Sequence, residues 1–199
     1  LIAILDYGSG NVLSAARAFE TTGESVVITR DAKSALNAKA LVIPGVGAFG
    51  ACVAQLLSIG GNEIIQARVE KELPIFGICV GMQILFESGI EKGNHLGLGI
   101  FSGTVKQLNA PVLPHIGWNQ IESSKNNPLF SGIENERFYF VHSYAVKSNQ
   151  DSNAIISKCN YGEEFISSIS KDNISATQFH PEKSGSAGLK LISNWSKTI

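Results

Sequence analysis

Long apolar runs are missing from this chain. None approaches the roughly 20 residues that a membrane span needs, and no charged leader followed by a cleavage site opens it. Lys and Arg number 16 against 17 Asp and Glu, a formal charge of −1. No field is available to gather polyanions, so nucleic acid is not expected as a partner. The three cysteines, Cys52, Cys79 and Cys159, stand far apart with no C-x-x-C spacing, which argues against a zinc site and against a disulfide framework. Cys52 and Cys159 are expected to be packing residues or incidental surface thiols. The glycines of Gly8-Ser9-Gly10-Asn11 lack both the full G-x-G-x-x-G pattern and a Gly-Lys-Ser/Thr ending, so a phosphate loop is not expected there. These absences describe a cytoplasmic type of protein with no membrane segment, metal or cofactor. Met82 is the only methionine and Leu1 opens the chain; we expect a lost initiator and a numbering offset from the gene.

What is present centres on Pro74 to Ser88. The apolar run Ile75 to Ile78 reaches Gly77-Ile78-Cys79-Val80-Gly81 and passes into a helix-like segment, the strand, sharp turn and helix of a nucleophile elbow. Such an elbow holds its middle residue in a strained conformation, and flanking glycines let strand and helix approach closely. Cys79 is that residue, and the N–H groups of the following helix favour its thiolate. As a bare pattern, however, a buried cysteine is more often a small core hydrophobe.

The far end of the chain strengthens the catalytic reading. Ile174 to Phe179 is expected as a strand running into His180-Pro181-Glu182, and residues two apart in an extended segment face the same way. His180 and Glu182 can then serve as base and orienter for the Cys79 thiol. The alternative is a solvated turn in which Glu182 and Lys183 cap the last helix. His142, within Tyr139 to Tyr144, is a rival base worth testing, while His95 and His115 carry no strong signal by position.

With 199 residues, 44% of them hydrophobic, the chain can bury one good core, and a single domain over 1–199 is expected. Its first half alternates strand and helix: strands at Leu1 to Leu5, Ser25 to Thr29, Ala40 to Ile43 and Ile75 to Ile78, with helices after each. That alternation predicts an α/β fold with a mostly parallel sheet flanked by helices, its active site at the carboxyl ends of the strands. Asp6, Gly45 and Cys79 all fall at such ends. Gly45 and Gly47 let the backbone around Val46 turn its N–H groups outward, so Gly45 and Val46 can join the Val80 N–H in an oxyanion hole; an ordinary strand-to-helix loop is the other reading. After Gly89 short β-rich runs follow one another. They predict an antiparallel addition closed by a helix from Ser184 to about Ser196, with Leu189, Ile192 and Trp195 inward.

Two signatures, G-I-C-V-G-M-Q at 77–83 and Q-F-H-P-E-K-S at 178–184, resemble those of the class I (triad) glutamine amidotransferases. Four more segments resemble the glutaminase subunits of imidazole glycerol phosphate synthases within that family: D-Y-G-S-G-N at 6–11, P-G-V-G at 44–47, P-H-I-G-W-N at 114–119 and F-V-H-S-Y at 140–144. The resemblance implies a Cys79-His180-Glu182 triad that hydrolyses glutamine. It implies a glutamine pocket lined by Gly47, Gln83, Ser143 and Tyr144. It further implies a (β/α)₈ cyclase partner in a 1:1 heterodimer, with Asn11, His115, Trp118 and Lys183 at or near the surface facing it. If the Val46 N–H faces away from the pocket at rest, the glutaminase would be latent.

Three other readings compete. A glutaminase serving a different synthase is disfavoured by P-G-V-G and P-H-I-G-W-N. A cysteine peptidase or DJ-1-like protein can share the elbow but is not expected to end in His-Pro-Glu. A non-catalytic subunit that only stabilises its partner fits poorly with an intact Cys-His-Glu set.

Overall fold

The computed structural model describes residues 1–123 and 127–199. Along the first half run β1 (Ile2–Leu5), α1 (Val12–Glu20), β2 (Val26–Thr29), α2 (Ala32–Asn37), β3 (Ala40–Gly45), α3 (Phe49–Ser58), α4 (Gly61–Glu70), β4 (Ile75–Cys79) and α5 (Val80–Gln83). The second half holds β5 (Phe86–Ile90), β6 (Asn94–Leu96), β7 (Phe101–Gln107), β8 (His115–Gln120), β9 (Arg137–His142), β10 (Tyr144–Val146), β11 (Ile155–Tyr161), β12 (Glu163–Lys171), β13 (Ile174–Thr177) and α6 (Gly185–Ser196).

Among the described residues the main sheet has seven strands in the order β11-β12-β13-β4-β3-β1-β2. From β13 to β2 every pairing is parallel, and β12 and β11 join antiparallel at one edge. β1, β3 and β4 are buried along their whole length, which explains why they read as continuous apolar runs rather than alternating ones. An edge-to-face trio of Phe19, Phe76 and Trp195, with ring centroids 5.0 to 5.9 Å apart, pins α1 and α6 to β4. Arg68, fully buried on α4, donates to the carbonyls of Ala35, Ala38, Lys39 and Pro74 and ties the base of the sheet together.

The predicted alternation and the antiparallel edge are both present, with three differences. The helix after the elbow is a single turn, Val80–Gln83, because Phe86 and Gly89 are needed in β5 of a separate four-stranded sheet, β10-β7-β5-β6. A turn that short carries little macrodipole. The β-rich segments also do not all extend the main sheet, since β8 and β9 form a hairpin of their own. Leu189, expected inward, is 38% exposed; Ile192 and Trp195 are buried as expected, and Ala187 and Leu191 join them.

Candidate active site

Parallel pairing of β3 with β4 sets Gly45 opposite Cys79. Glycine is required at the crossing: a Cβ on Gly45 would lie 2.5 Å from the Gly81 nitrogen, and one on Gly81 would run into the Ile43 carbonyl oxygen. The strands and the elbow therefore touch backbone to backbone. Cys79 itself sits at φ 55° and ψ −112°, a conformation that costs a non-glycine residue of order 1–3 kcal/mol and projects its side chain off the end of the strand.

Cys79 opens into a cleft of about 410 Å³, whose lining includes Val46, Gly47, Gln83, Ser143 and His180. Val80 and Tyr144 also border it, and Lys183 stands exposed at its rim. Behind His180, Glu182 Oε1 lies 2.7 Å from Nδ1, both side chains nearly buried. That contact fixes the tautomer and turns Nε2, which has no hydrogen-bond partner among the described residues, toward the cleft. Burial by itself would push the His180 imidazole down; the Cys79 sulfur and the Glu182 carboxylate outweigh it and hold the group at about 10. An imidazole set between a cysteine sulfur and a carboxylate is the arrangement of a thiol nucleophile with its base and orienter.

The Val46 peptide faces elsewhere. Its N–H donates to Ser9 Oγ at 3.2 Å, and its carbonyl accepts from Ser9 Oγ at 2.7 Å and from Cys52 Sγ at 3.3 Å. Cys52, expected only to pack, thus belongs to a small polar clasp on the Val46 peptide, and no sequence pattern signalled it.

His142 is not a second base. Its Nδ1 lies 3.0 Å from the Tyr144 carbonyl and its Nε2 lies 3.1 Å from His115 Nδ1. A carbonyl only accepts, so His142 Nδ1 donates and His142 Nε2 must accept from His115. Burial drives His115 down to about 4 and His142 to about 3. His115, expected near a partner-facing surface, is only 3% exposed and is stacked between Phe140 and Tyr161. Strand alternation explains the difference, because its neighbours Ile116 and Trp118 on β8 are 59% and 50% exposed and take the outer face. Asn11 is exposed, as expected of a surface position, and its side chain also caps α1 by accepting from the Ser14 N–H.

Sequence reasoning missed Gln178. Wholly buried, its Nε2 points at Cys79 Sγ, 3.7 Å away, and its Oε1 accepts from Gln83 Nε2 at 3.0 Å. The extended alternation expected of His180 and Glu182 is not what gathers the site: β13 ends at Thr177, just before Gln178, and Pro181–Lys183 form a 3₁₀ turn that brings Glu182 to His180.

The sequence pattern of the class-I glutamine amidotransferases matches residues 3–197. The imidazole glycerol phosphate synthase subunit HisH of Leifsonia xyli subsp. xyli is 47% identical over 201 residues, covering 98% of this chain and 96% of that one. The HisH subunit of Bifidobacterium longum is 44% identical over 210 residues, with 98% of each chain covered. Among solved structures, PurLQS from Thermotoga maritima superposes with a TM-score of 0.76 at 18% identity, over 99% of this chain and 97% of that one. Fold, cleft and sequence agree: the chain belongs to the class-I glutamine amidotransferase family, whose members are enzymes.

Proposed function

We propose that this chain is the glutaminase subunit of an imidazole glycerol phosphate synthase, a single amidotransferase domain that works against a separate (β/α)₈ cyclase in a 1:1 heterodimer. The carrying observation is the buried Cys79, His180 and Glu182 set at the end of β4, in a chain 47% identical over nearly its full length to a HisH subunit. Glutamine enters the cleft between Gly47, Gln83, Ser143 and Tyr144. The Cys79 thiolate adds to its carboxamide carbon, and the oxyanion takes N–H groups from Val80 and the 45–47 segment. His180 protonates the departing ammonia, then removes a proton from the water that hydrolyses the glutamyl thioester to glutamate. Ammonia passes to the cyclase, which uses it to make imidazole glycerol phosphate and a purine-pathway carboxamide nucleotide.

Latency follows from the clasp on Val46. With its N–H spent on Ser9, the oxyanion hole lacks one donor, worth ~10²–10³ in rate. Partner binding then has one task, to free that peptide. Asn11, Trp118 and Lys183 are offered as the contacting surface, with exposed Ile116 beside Trp118; buried His115 drops out as a direct contact.

The test is glutamate release from glutamine by the purified chain, alone and with the cyclase barrel plus its nucleotide. A large rise in the loaded complex is expected, and Cys79→Ala should leave only ammonia-dependent product formation. Glutamine-dependent output surviving in Cys79→Ala would mean a scaffold, and no glutamate in either state would mean a different partner or activity.

A further inference from the structure

The Tyr144 carbonyl oxygen is approached by two side chains. Gln83 Nε2 lies 2.9 Å from it and His142 Nδ1 lies 3.0 Å from it. A carbonyl cannot donate, so both side chains must present N–H, and this fixes which way each is turned. For Gln83 the consequence runs on. Its one amide nitrogen serves both Tyr144 O and Gln178 Oε1, so Gln178 must turn its oxygen toward Gln83. The nitrogen of Gln178 is left aimed at Cys79 Sγ. Amide orientation is ordinarily ambiguous for a glutamine; here a backbone acceptor at the head of the relay removes the ambiguity.

We infer that Gln178 is a catalytic residue that donates its side-chain N–H to the Cys79 thiolate, oriented by the relay Tyr144 carbonyl, Gln83, Gln178. The sulfur then has a cation, His180, and a fixed neutral donor, Gln178, around it. Two such neighbours hold the sulfur at one position, where a single cation would leave it free to turn. The donor is also unable to titrate, so its contribution persists over the whole working pH range. Gln178 is fully buried and its backbone N–H is bonded to Ser167 O at 2.8 Å, so the side chain is held from behind and cannot follow the sulfur away. A second consequence falls on Gln83. With its N–H groups committed, Oε1 is the only group it can offer to the cleft, so it can accept a hydrogen bond from glutamine but cannot donate one.

The inference rests on the glutaminase reading for its biological sense, but its test needs no substrate. Iodoacetamide alkylation of Cys79, followed by mass spectrometry of the peptide that carries it, reports the thiolate directly. Cys52 and Cys159 sit on other peptides, and burial raises both thiols, Cys159 to about 12. Hydrogen bonds to charged groups place the effect of removing one such donor at about tenfold. Gln178→Met, which keeps the bulk and removes the donor, should therefore alkylate about tenfold more slowly than the parent at pH values below the midpoint of the parent's own alkylation profile. It should catch up as pH is raised, which a packing defect would not cause. An unchanged rate, or a slower rate that does not recover at high pH, overturns the inference. Should Gln178→Met not fold, Gln178→Asn tests the same contact: one methylene shorter, its amide no longer reaches the sulfur, and alkylation should show the same slowing and the same recovery at high pH. An unchanged rate there is equally fatal. Glutamate release by the parent in the loaded complex, run alongside, separates the two levels. Normal release with unchanged alkylation in the variant defeats only the role of Gln178, and absent release in the parent defeats the glutaminase reading.

Discussion

Replacing Ser9 with alanine removes one hydroxyl that holds Val46 at both its N–H and its carbonyl, at 3.2 and 2.7 Å. Each such bond contributes ~0.5–1.5 kcal/mol net. The carbonyl, which Cys52 Sγ also holds at 3.3 Å, belongs to the next peptide and does not turn with the N–H, so the resting Gly45–Val46 peptide should lose about 0.5–1.5 kcal/mol of preference, the worth of the N–H bond alone. That is a factor of about 2–13 in the population of peptides free to turn toward the sulfur. The ceiling is the worth of a complete oxyanion donor, ~10²–10³. Glutamate release by the isolated chain, followed with a coupled glutamate dehydrogenase assay, should therefore rise about 2–13-fold, while the partner-loaded rate changes little. A folded Ser9→Ala protein with its basal rate unchanged would show that the hydroxyl does not hold the oxyanion peptide. An equal rise in basal and loaded rates would place the effect on the chemistry instead of the resting state.

Further outcomes follow from strain, burial and charge. Cys79→Gly relieves the φ 55° backbone and should raise the thermal midpoint, with about 1 kcal/mol gained while hydrolysis is lost; a less stable glycine variant would mean the elbow is not strained. Arg68→Met leaves four carbonyl oxygens without their buried donor and should cost about 3 kcal/mol in urea unfolding. Lysine should not restore it, since one ammonium cannot span the same fork. His115 and His142 are held below their ordinary range, at about 4 and about 3, so the unfolded chain binds protons that the folded chain refuses. Stability should be full above pH 6.5 and decline toward pH 4, with His115 alone costing roughly 2 kcal/mol at pH 5. His115→Gln should flatten that decline, and an unchanged acid limb in urea titrations would show that the pair is not its cause. His180 runs the other way: raised to about 10, it contributes stability that is complete below pH 6.5 and lost as pH rises through 10.

The elbow, the His-Pro-Glu ending and the parallel half of the sheet were legible because each is local. Glycine two places to either side of Cys79 has direct geometric meaning, and His180 and Glu182 are close enough in sequence to meet, although they do so through the 3₁₀ turn Pro181–Lys183 and not through the extended alternation expected of them. What escaped depended on distant partners. Val80 to Ser88 has apolar spacing compatible with a helix, yet β7 recruits Phe86 to Gly89 into a sheet, a tertiary demand that local propensity cannot anticipate. Leu189 and Leu191 are indistinguishable by composition, and only the position of β4 decides which turns inward. The inward turn of His115 depends on the register of β8 against β9, which a one-residue slip would reverse. Ser9 and Cys52 meet across 43 residues, and Gln178 and Cys79 across 99; neither pair has a sequence signature.

The register of Gly45 against Cys79 has a kinetic corollary. The peptide between Gly45 and Val46 is joined to the chain by two single bonds, ψ of Gly45 and φ of Val46. Counter-rotating them turns the N–H by a crankshaft motion while the flanking Cα atoms keep their places. Gly45 has no side chain to sweep, Val46 is 43% exposed, and Gly47 already sits at φ 104°. Such a local rotation runs on the ns–µs scale, far faster than the usual ~1–10³ turnovers per second. Activation by a partner should thus appear at once, without lag or hysteresis in stopped-flow, as a weighting of a rapid equilibrium within every turnover.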